Sequence, residues 1–330
     1  MDGVSILALD LVIVVVNYNT RDYLRDCLAS VYASRGEFSY SVCVVDNASS
    51  DGSADMVRQE FPEAHIIEST VNGGFAYANN LGLRHYGFSD FQQASNQTES
   101  DLPPDMPRFA LLLNPDTVVP PEGFAAMLDF MAQHPEAGVA GAKLVLENGQ
   151  LDLACRRSFP TPKVSFYRMA GLSKLFPHHR KFGQYNLTYL DPDQIAEVDA
   201  VVGAFMLVRG QAIQQAGLLD ETFFMYGEDL DWAYRIVQAG WKVFYCPQAT
   251  VLHIKRAASR HSLKAQQEFY RAMRIFYDKH YAANTPWWLH WLVLGGIGLR
   301  ASLLTLEYRF LHGRQQPDAN SADKANVEDD

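Results

Sequence analysis

Acidic side chains follow two apolar runs of the sequence, in surroundings that suit ligand chemistry. Asp46 comes directly after the run Ser41–Val45 and before a turn rich in serine and glycine. A carboxylate there can accept hydrogen bonds from a ring imide or a ribose hydroxyl, and it can equally cap the following helix. Asp116 closes the sequence Asn114-Pro-Asp116 after the run Phe109–Leu113. It suits a divalent cation shared with diphosphate oxygens, and it also suits an ordinary Asx turn.

A second group of acids lies farther along the chain, in the sequence Glu228-Asp229-Leu-Asp231. On a helix Glu228 and Asp231 share one face, while Asp229 points elsewhere. The helix dipole favours acids at this end, and Asp231 is spaced for an ion pair with Arg235. The functional interpretation is a general base held by a second acid. The apolar flank Phe223–Tyr226 would exclude water and raise a carboxylate pKa.

His253 and the basic residues after it complete the candidates. Imidazole is compatible with Mn²⁺, so His253 and Asp116 together could form a cation site, although a lone histidine is usually structural. Lys255, Arg256 and Arg260 form a local basic cluster in an acidic protein. Such a cluster suits phosphate binding, and the alternative is a solvated surface run.

Alternating strands and helices in the first half must position these side chains. Short apolar runs predict strands and the amphipathic stretches between them predict helices. This βαβ pattern indicates a mostly parallel sheet, in which ligands bind beyond the carboxyl ends of the strands. Three strand ends carry polar clusters that should converge on one crevice, namely Asn17-Tyr18-Asn19, Asp46-Asn47 and Asn114-Pro-Asp116.

The second half is less regular. Residues 144–200 are interpreted as strands and long loops with several aromatic side chains. Residues 241–245 are interpreted as a strand followed by Pro247, and residues 262–280 as an amphipathic helix. The polar tail 313–330 is predicted to be disordered.

Composition limits the function classes. The 330 residues include 28 Lys and Arg against 38 Asp and Glu, a formal charge of −10, so an overall basic footprint for nucleic acid is absent. Hydrophobic residues make up 48%, which allows one large α/β domain or two modest ones. The four cysteines form no C-x-x-C pair, which fits a reducing compartment. No G-x-G-x-x-G follows the first strand, which disfavours a dinucleotide oxidoreductase.

Six motifs together resemble the family 2 glycosyltransferases, which have the GT-A nucleotide-diphospho-sugar transferase fold. Each motif alone is weak, but six in this order are specific, and they cover roughly residues 10–280. Within the family the pattern is most similar to bacterial rhamnosyltransferases of cell-surface polysaccharide synthesis. The motifs are Val14-Val-Val-Asn-Tyr-Asn19, Val44-Val-Asp-Asn-Ala-Ser-Ser-Asp-Gly-Ser53, Asn72-Gly-Gly-Phe-Ala-Tyr-Ala-Asn-Asn80, Leu113-Asn-Pro-Asp-Thr117, Gly203-Ala-Phe-Met-Leu-Val208 and Phe224-Met-Tyr-Gly-Glu-Asp-Leu-Asp231.

The resemblance implies a role for each matching residue. Asp116 would hold Mg²⁺ or Mn²⁺ on the donor diphosphate with His253 as a further ligand, and Asp229 would be the general base with Glu228 beside it. Asn114 departs from the usual acidic triplet, which has Asp at this position, so one negative charge is missing. Nucleotide contacts are expected from Asn17, Tyr18, Asn19, Asp46, Asn47, Asn72, Gly74 and Asn114, and phosphate contacts from Lys255, Arg256 and Arg260.

The resemblance also implies domains and partners. Residues 1–260 would form the GT-A catalytic domain, with a nucleotide-binding half at 10–143 and an acceptor half at 144–260. C-terminal helices would follow at 261–312. The expected donor is dTDP-rhamnose, with UDP-linked galactofuranose, glucose or N-acetylglucosamine as alternatives. The expected acceptor is a saccharide or a polyprenyl-diphosphate-linked saccharide. A non-catalytic sugar-nucleotide or glycan-binding module is the alternative from another class.

The C-terminal segment 286–312 begins Pro286-Trp-Trp-Leu-His-Trp and contains Arg300 and Arg309. No segment has the roughly 18 uninterrupted apolar residues of a membrane span. Because tryptophan favours the membrane interface, one interpretation is a helix lying on the membrane near a lipid-linked acceptor. The other is a helix that packs on the catalytic domain or on a second subunit of a homodimer. The expected location is the bacterial cytoplasm, at the cytoplasmic face of the inner membrane.

Overall fold

A computed structural model describes residues 9–89, 106–255 and 263–312 of the chain. The predicted disordered tail 313–330 lies outside these described residues. The chain divides into two compact units, Met1–Arg256 and Ala257–Asp330. The domain boundary predicted after residue 260 lies in a stretch that the structure does not describe, so it stays a prediction.

The first unit is built on one mixed sheet. Its described strands are β1 Leu11–Asn17, β2 Tyr40–Asp46, β3 His65–Glu68, β4 Phe109–Leu113, β5 Thr117–Val118, β6 Ala137–Val145, β7 Ala196–Val198, β8 Phe205–Arg209 and β9 Lys242–His253. In space they run β3-β2-β1-β4-β8-β6-β9-β5, and β7 pairs with β9. Strands β3, β2, β1 and β4 are mutually parallel, and β8 lies antiparallel between β4 and β6.

Helices alternate with the strands in the first half of the chain. The helices of the first unit are α1 Arg21–Tyr32, α2 Ser53–Glu60, α3 Gly74–His85, α4 Gly123–Gln133, α5 Pro162–Met169, α6 Leu172–Leu175, α7 Gly210–Ala216 and α8 Glu228–Gln238. All seven residues of β1 are buried, as expected for a central parallel strand covered on both faces. The predicted α/β fold, a mostly parallel sheet flanked by helices, is confirmed.

Two predictions about local structure are wrong. Residues 144–200, interpreted as strands and long loops, contain the helices α5 and α6 as well as β7. The start of α5 has a local cause, because Thr161 accepts a hydrogen bond from Val164 N–H (3.3 Å) and proline occupies the first helical turn. Sequence periodicity missed it because the helix has only eight residues and buries one side chain, Val164.

The second error concerns the stretch around Pro247: the sequence predicts a strand at 241–245 and a separate β-like stretch at 249–252, whereas the structure joins them into one strand. β9 continues to His253, and its register against β6 shifts between Ala142 and Lys143. Residues 247–249 therefore form a bulge without ladder partners on β6. A proline is tolerated there because the ladder needs no N–H from it.

Two helices form the described part of the second unit, α9 Leu263–His280 and α10 Trp287–His312. The amphipathic helix predicted at 262–280 is confirmed, and it buries Phe276 and Tyr277. The Tyr277 hydroxyl lies 3.1 Å from His290 Nδ1 of α10. Among the described residues, no helix combines the length and apolarity that crossing a membrane requires.

Candidate functional site

The carboxyl ends of β1, β2 and β4 lie side by side at one edge of the sheet. The pairing register places Asn17 opposite Asp46 and Val15 opposite Leu113. The polar clusters that follow these strands are therefore neighbours, as the parallel arrangement predicts.

Asp46 is held rigidly at this edge. Its Oδ1 accepts a hydrogen bond from Asn17 Nδ2 (2.9 Å) and its Oδ2 accepts one from Ser49 N–H (2.9 Å). Asn17 also donates to Ser49 Oγ (3.0 Å) and accepts from Thr20 Oγ1 (2.6 Å). The amide of Asn17 thus positions Asp46, and its predicted contact with a nucleotide stays a prediction.

Tyr18 and Asn19 follow β1 directly. Tyr18 is 49% exposed, which leaves its ring accessible for stacking. Asn19 has a positive φ of 53°, and its side-chain oxygen accepts a hydrogen bond from Ser50 N–H (2.8 Å). Asparagine tolerates this left-handed conformation better than most residues, so Asn19 shapes the turn beside Asp46.

Asn47, Asn72 and Gly74 form a second hydrogen-bonded cluster. Asn47 Nδ2 donates to Asn72 Oδ1 (3.0 Å) and to the Gly74 carbonyl (3.2 Å). Gly74 has φ +90°, and a Cβ there would lie 2.2 Å from the Phe224 carbonyl oxygen. Phe75 N–H donates to that same oxygen (2.9 Å). Glycine is required at this position, and the close approach joins the start of α3 to the loop before α8.

Asp116 and His253 are brought together by strands β5 and β9. Thr117 pairs with His253 in the antiparallel register, and His253 Nε2 lies 3.5 Å from Asp116 Oδ1. The other ring nitrogen, Nδ1, lies 2.9 Å from Asp152 Oδ2. Lys255 Nζ is hydrogen-bonded to Asp152 Oδ1. Burial opposes protonation of the imidazole, but Asp116 and Asp152 outweigh it and raise the pKa of His253 to about 9.

This arrangement is compatible with a divalent cation. A carboxylate oxygen and an imidazole nitrogen face each other, and the contact of Nδ1 with Asp152 is the arrangement that commonly orients a metal-bound histidine. Within the described residues, no group of three His, Cys, Asp or Glu side chains could hold an ion. Asp116 and His253 would therefore need oxygens from a ligand, such as a diphosphate, to complete a coordination shell.

Asp229, at the start of α8, lies in a second buried acidic centre. Its Oδ2 accepts hydrogen bonds from Arg157 Nη2 (2.7 Å) and Gly203 N–H (3.1 Å), and its Oδ1 accepts one from Leu230 N–H (2.7 Å). A carboxylate offers about four acceptor positions, so these described donors leave one on Oδ1. Burial opposes the charge of Arg157, yet Asp229 outweighs it and the pKa of Arg157 is raised.

Glu228 is buried beside Asp229. Among the described residues none donates a hydrogen bond to its Oε2. Burial, with the negative charge of Asp229 as a further contribution, raises the pKa of Glu228 to about 8. Asp231 is fully buried and pairs with Arg235 Nε (2.8 Å), which confirms the predicted i, i+4 ion pair.

Backbone contacts connect the two acidic centres. Asn114 N–H, two residues before Asp116, donates to the Ala204 carbonyl (3.0 Å). The preceding residue, Gly203, donates its N–H to Asp229. The turn that carries Asp116 and the carboxylate of Asp229 therefore flank the same short stretch of chain.

Two residues of these centres were missed by sequence reasoning, Asp152 and Arg157. Both lie between regular elements, and no spacing rule links them to partners 101 and 72 residues away. Two adjacent arginines in a stretch without acidic neighbours were the available signal for Arg157. Of the predicted phosphate contacts, Lys255 lies beside Asp152, whereas Arg256 and Arg260 are outside the described residues.

The chain is similar in sequence to known glycosyltransferases. A family model described as "Glycosyltransferase like family 2" matches residues 10–270. An N-acetylglucosaminyl-diphospho-decaprenol L-rhamnosyltransferase of Mycobacterium tuberculosis is 28% identical over 297 residues, covering 88% of this chain and 92% of that protein. Rhamnosyltransferase WbbL of Escherichia coli K12 is 25% identical over 244 residues, covering 73% of this chain and 82% of that protein.

Solved structures share the fold at low sequence identity. GalNAc-T7 with UDP, GalNAc and Mn²⁺ aligns with a TM-score of 0.55 at 13% identity, covering 94% of this chain and 58% of that longer chain. Mannosyltransferase PcManGT of Pyrobaculum calidifontis, with GDP-Man and Mn²⁺, aligns with a TM-score of 0.52 at 15% identity, covering 94% and 77%. These likenesses support a GT-A-like architecture.

Proposed function

The chain belongs to glycosyltransferase family 2, and from this premise we propose that it transfers L-rhamnose from dTDP-rhamnose to a lipid-linked saccharide. The relatives from M. tuberculosis and E. coli, which are named as rhamnosyltransferases, support the choice of sugar. The first of them is named for a decaprenol-diphosphate-linked acceptor, which supports a polyprenyl-linked acceptor here. The corresponding place of action is the cytoplasmic face of the bacterial inner membrane, in cell-surface polysaccharide synthesis.

The observation that carries this proposal is the connection between the two acidic centres. Asp116 with His253 suits the diphosphate end of a donor, and Asp229 suits the hydroxyl of an acceptor. The backbone contacts through Ala204 and Gly203 hold both around one short stretch of chain. Such an arrangement brings a leaving group and an attacking group to the same sugar.

On the donor side, the residues of the sheet edge would bind the nucleotide. Asp46 is fixed by Asn17 and Ser49 and would accept hydrogen bonds from the base, while the exposed ring of Tyr18 would stack on it. Asp116 and His253 would hold Mg²⁺ or Mn²⁺ with the diphosphate. When bound, such a cation would neutralise the charge that develops on the leaving diphosphate.

On the acceptor side, Asp229 would act as the general base. The remaining acceptor position on Oδ1 would take the proton of the acceptor hydroxyl. That oxygen would attack the anomeric carbon from the face opposite the leaving diphosphate, inverting the configuration. Arg157 and Gly203 N–H fix Oδ2 and so orient the carboxylate.

A transfer assay with dTDP-rhamnose and N-acetylglucosaminyl-diphospho-polyprenol tests the proposal. We expect Asp229→Asn to lower kcat by about 10²–10⁴-fold, because the amide cannot accept the proton. Asp199→Asn is a matched control, since the described contact of the Asp199 carboxylate is a backbone hydrogen bond from Phe159 (2.8 Å), which an amide oxygen can also accept. A folded Asp229→Asn protein with near-normal transfer would show that Asp229 is not the base.

Thermal stabilisation by nucleotides tests the donor separately. We expect dTDP-rhamnose with Mn²⁺ or Mg²⁺ to raise the Tm, and Asp116→Ala to abolish the metal-dependent part. Stabilisation by UDP-sugars alone would be consistent with a glycosyltransferase but would exclude dTDP-rhamnose as the donor. If no nucleotide stabilises the chain and no transfer occurs, the non-catalytic binding module becomes the better interpretation.

A further inference from the structure

One segment of this acidic chain contains no acidic residue. From Leu153 to Leu190 the sequence holds seven of the 28 Lys and Arg residues and none of the 38 Asp and Glu residues. The same segment also contains His178 and His179. The formal charge of the whole chain is −10, so this concentration of one sign is a local feature of the segment.

The middle of this segment packs into one lobe around Phe182. The Phe182 ring contacts the rings of Tyr167 in α5 (5.2 Å between centroids), Phe176 after α6 (5.7 Å) and His179 (4.8 Å). We refer to residues 162–182, which contain α5 and α6, as the α5–α6 lobe. Because α5 and the residues that follow α6 meet at one ring, the side chains of this lobe belong to one local surface.

That surface exposes large apolar side chains among basic ones. Phe166 is 58% exposed and Leu175 is 69% exposed, and Met169 and Phe176 are also exposed. The exposed basic residues of the same lobe are Lys163, Arg168, Lys174, Arg180 and Lys181. Exposed apolar patches bordered by polar groups mark interaction surfaces, and aromatic and leucine side chains next to lysine and arginine are typical of proteins that bind the membrane surface.

A series of contacts connects this lobe to the proposed catalytic base. The guanidinium of Arg168 lies over the Tyr185 ring (4.2 Å from the centroid). Tyr185 lies beside the chain at Arg157, because its carbonyl accepts a hydrogen bond from Ser158 N–H (2.9 Å), and Arg157 pairs with Asp229 (2.7 Å). The lobe therefore lies next to the acceptor side of the site, with Tyr185 between Arg168 and the chain at Arg157.

We propose that the α5–α6 lobe docks on an anionic lipid bilayer and so presents the acceptor side of the site to the membrane surface. Phe166 and Leu175 would enter the headgroup region, and the lysines and arginines would lie against the anionic headgroups. The acidic remainder of the chain would be repelled, which would set one orientation. The purpose of this docking rests on the proposed lipid-linked acceptor, but the docking itself is measurable without any substrate.

Flotation of the full chain with vesicles tests the proposal. We expect binding to vesicles of phosphatidylcholine with 30% phosphatidylglycerol, no binding to pure phosphatidylcholine, and weaker binding at higher salt. The triple variant Lys174→Glu, Arg180→Glu, Lys181→Glu should lose at least about tenfold in partitioning, since each basic residue near the surface contributes to attraction. The double variant Phe166→Ser, Leu175→Ser should also bind more weakly.

Matched variants separate this surface from general charge effects. Arg35→Glu, Arg108→Glu, Lys242→Glu reverses three exposed basic residues of the same unit outside the lobe, and it should bind vesicles like the unaltered chain. All of these changes are at exposed positions, so equal Tm values will show that every variant is folded. Equal loss in both triple variants would overturn the proposal.

A second comparison addresses the exposed tryptophans of α10. The variant Trp287→Ser, Trp288→Ser removes two of the most exposed apolar side chains of the second unit. If it abolishes vesicle binding while the lobe variants bind normally, the lobe is not the docking surface. The lobe variants should keep full transfer to an acceptor with a short, water-soluble tail. Vesicle binding without any transfer would count against the proposed function and leave the docking surface standing.

Discussion

The two buried acidic centres of the first unit balance their charge in different ways. In the centre around Asp116, the carboxylates of Asp116 and Asp152 are opposed by His253 and Lys255. Of these cations, His253 has an imidazole that can release its proton. In the centre around Asp229, two carboxylates are opposed by Arg157, whose guanidinium stays charged at any working pH.

Because of this difference, the two centres suit different chemistry. The first can release the His253 proton and take up another cation between the same ligands, which suits the binding of a charged, exchangeable group. The second keeps one fixed positive charge for two acids, so one acid is left uncompensated. Glu228 therefore keeps a proton at neutral pH, and Asp229 is the carboxylate that Arg157 holds in place.

The largest expected effect follows from removing the fixed charge. Arg157→Met would leave Asp229 buried without its cation, which we expect to cost about 3–5 kcal/mol of unfolding free energy. The neighbouring Arg156 is a matched control, because it donates to the carbonyls of Leu190 (2.7 Å) and Asp191 (2.8 Å) and pairs with no carboxylate of the described residues. Arg156→Met should cost only about 1–3 kcal/mol.

Urea unfolding, monitored by far-UV circular dichroism, measures the loss of unfolding free energy in both variants. Equal losses would mean that Arg157 contributes chiefly by packing and carbonyl hydrogen bonds, as Arg156 does. Arg157→Lys sharpens the result, since it keeps the charge and loses the planar guanidinium. We expect it to recover most of the stability lost in Arg157→Met.

An intermediate effect is expected at the exchangeable centre. Asp152→Asn keeps a side chain that can still contact His253 Nδ1 but removes the negative charge behind the imidazole. We expect the affinity for Mn²⁺ in the presence of dTDP to fall about 10–100-fold, the usual result of altering the partner of a metal-bound histidine. Isothermal titration measures it, with Asp193→Asn as a control because Asp193 is exposed and pairs with Lys143.

An unchanged affinity in Asp152→Asn, together with a lost affinity in Asp116→Ala, would place Asp152 outside the cation site. Retained affinity in both variants would remove the cation from this centre altogether. In that case neither centre would bind a cation. The two centres would then differ only in which basic residues face their carboxylates.

In the pairs His253–Asp152 and Asp229–Arg157, the sequence predicts the first residue and misses the second. Asp116, His253 and Asp229 stand next to apolar runs or at a helix start, so local patterns point to them. Asp152 and Arg157 lie in the irregular stretch after β6, and only tertiary contacts over 72 to 101 residues reveal their use. The same holds for Asn17, whose position at a strand end was predictable and whose internal bond to Asp46 was not.

The elements of the fold also differ in how far the sequence predicts them. Strands with β-branched runs and a clear period, such as β1 and β2, were predictable because burial on both faces imposes a local composition. The bulge that accommodates Pro247 and the eight-residue helix α5 depend on register and capping, which a periodic pattern does not contain. Function-bearing residues concentrate in these irregular parts, where the chain is free to bring distant groups together.

A gradual effect, spread over several pH units, concerns the proton on Glu228. The pKa of Glu228 is about 8 in the folded chain and near its ordinary value of 4.5 when unfolded. Between pH 4.5 and pH 8 the folded state therefore keeps the Glu228 proton that the unfolded state has lost. The unfolding free energy that this proton contributes is fully present below pH 4.5 and is lost as the pH rises through 8. Glu228→Gln resembles the protonated acid and does not titrate.

We therefore expect the difference in Tm between Glu228→Gln and the unaltered chain to increase from pH 5 to pH 9. The increase should be about 2–4 °C for each kcal/mol of unfolding free energy that the unaltered chain loses as Glu228 ionises. The exposed Glu122→Gln is the control and should show no such trend. Differential scanning calorimetry at five pH values measures both. Parallel pH curves for Glu228→Gln and the unaltered chain would mean that Glu228 is ionised beside Asp229. The single guanidinium of Arg157 would then face two buried negative charges, and the two centres would differ less than their contacts indicate.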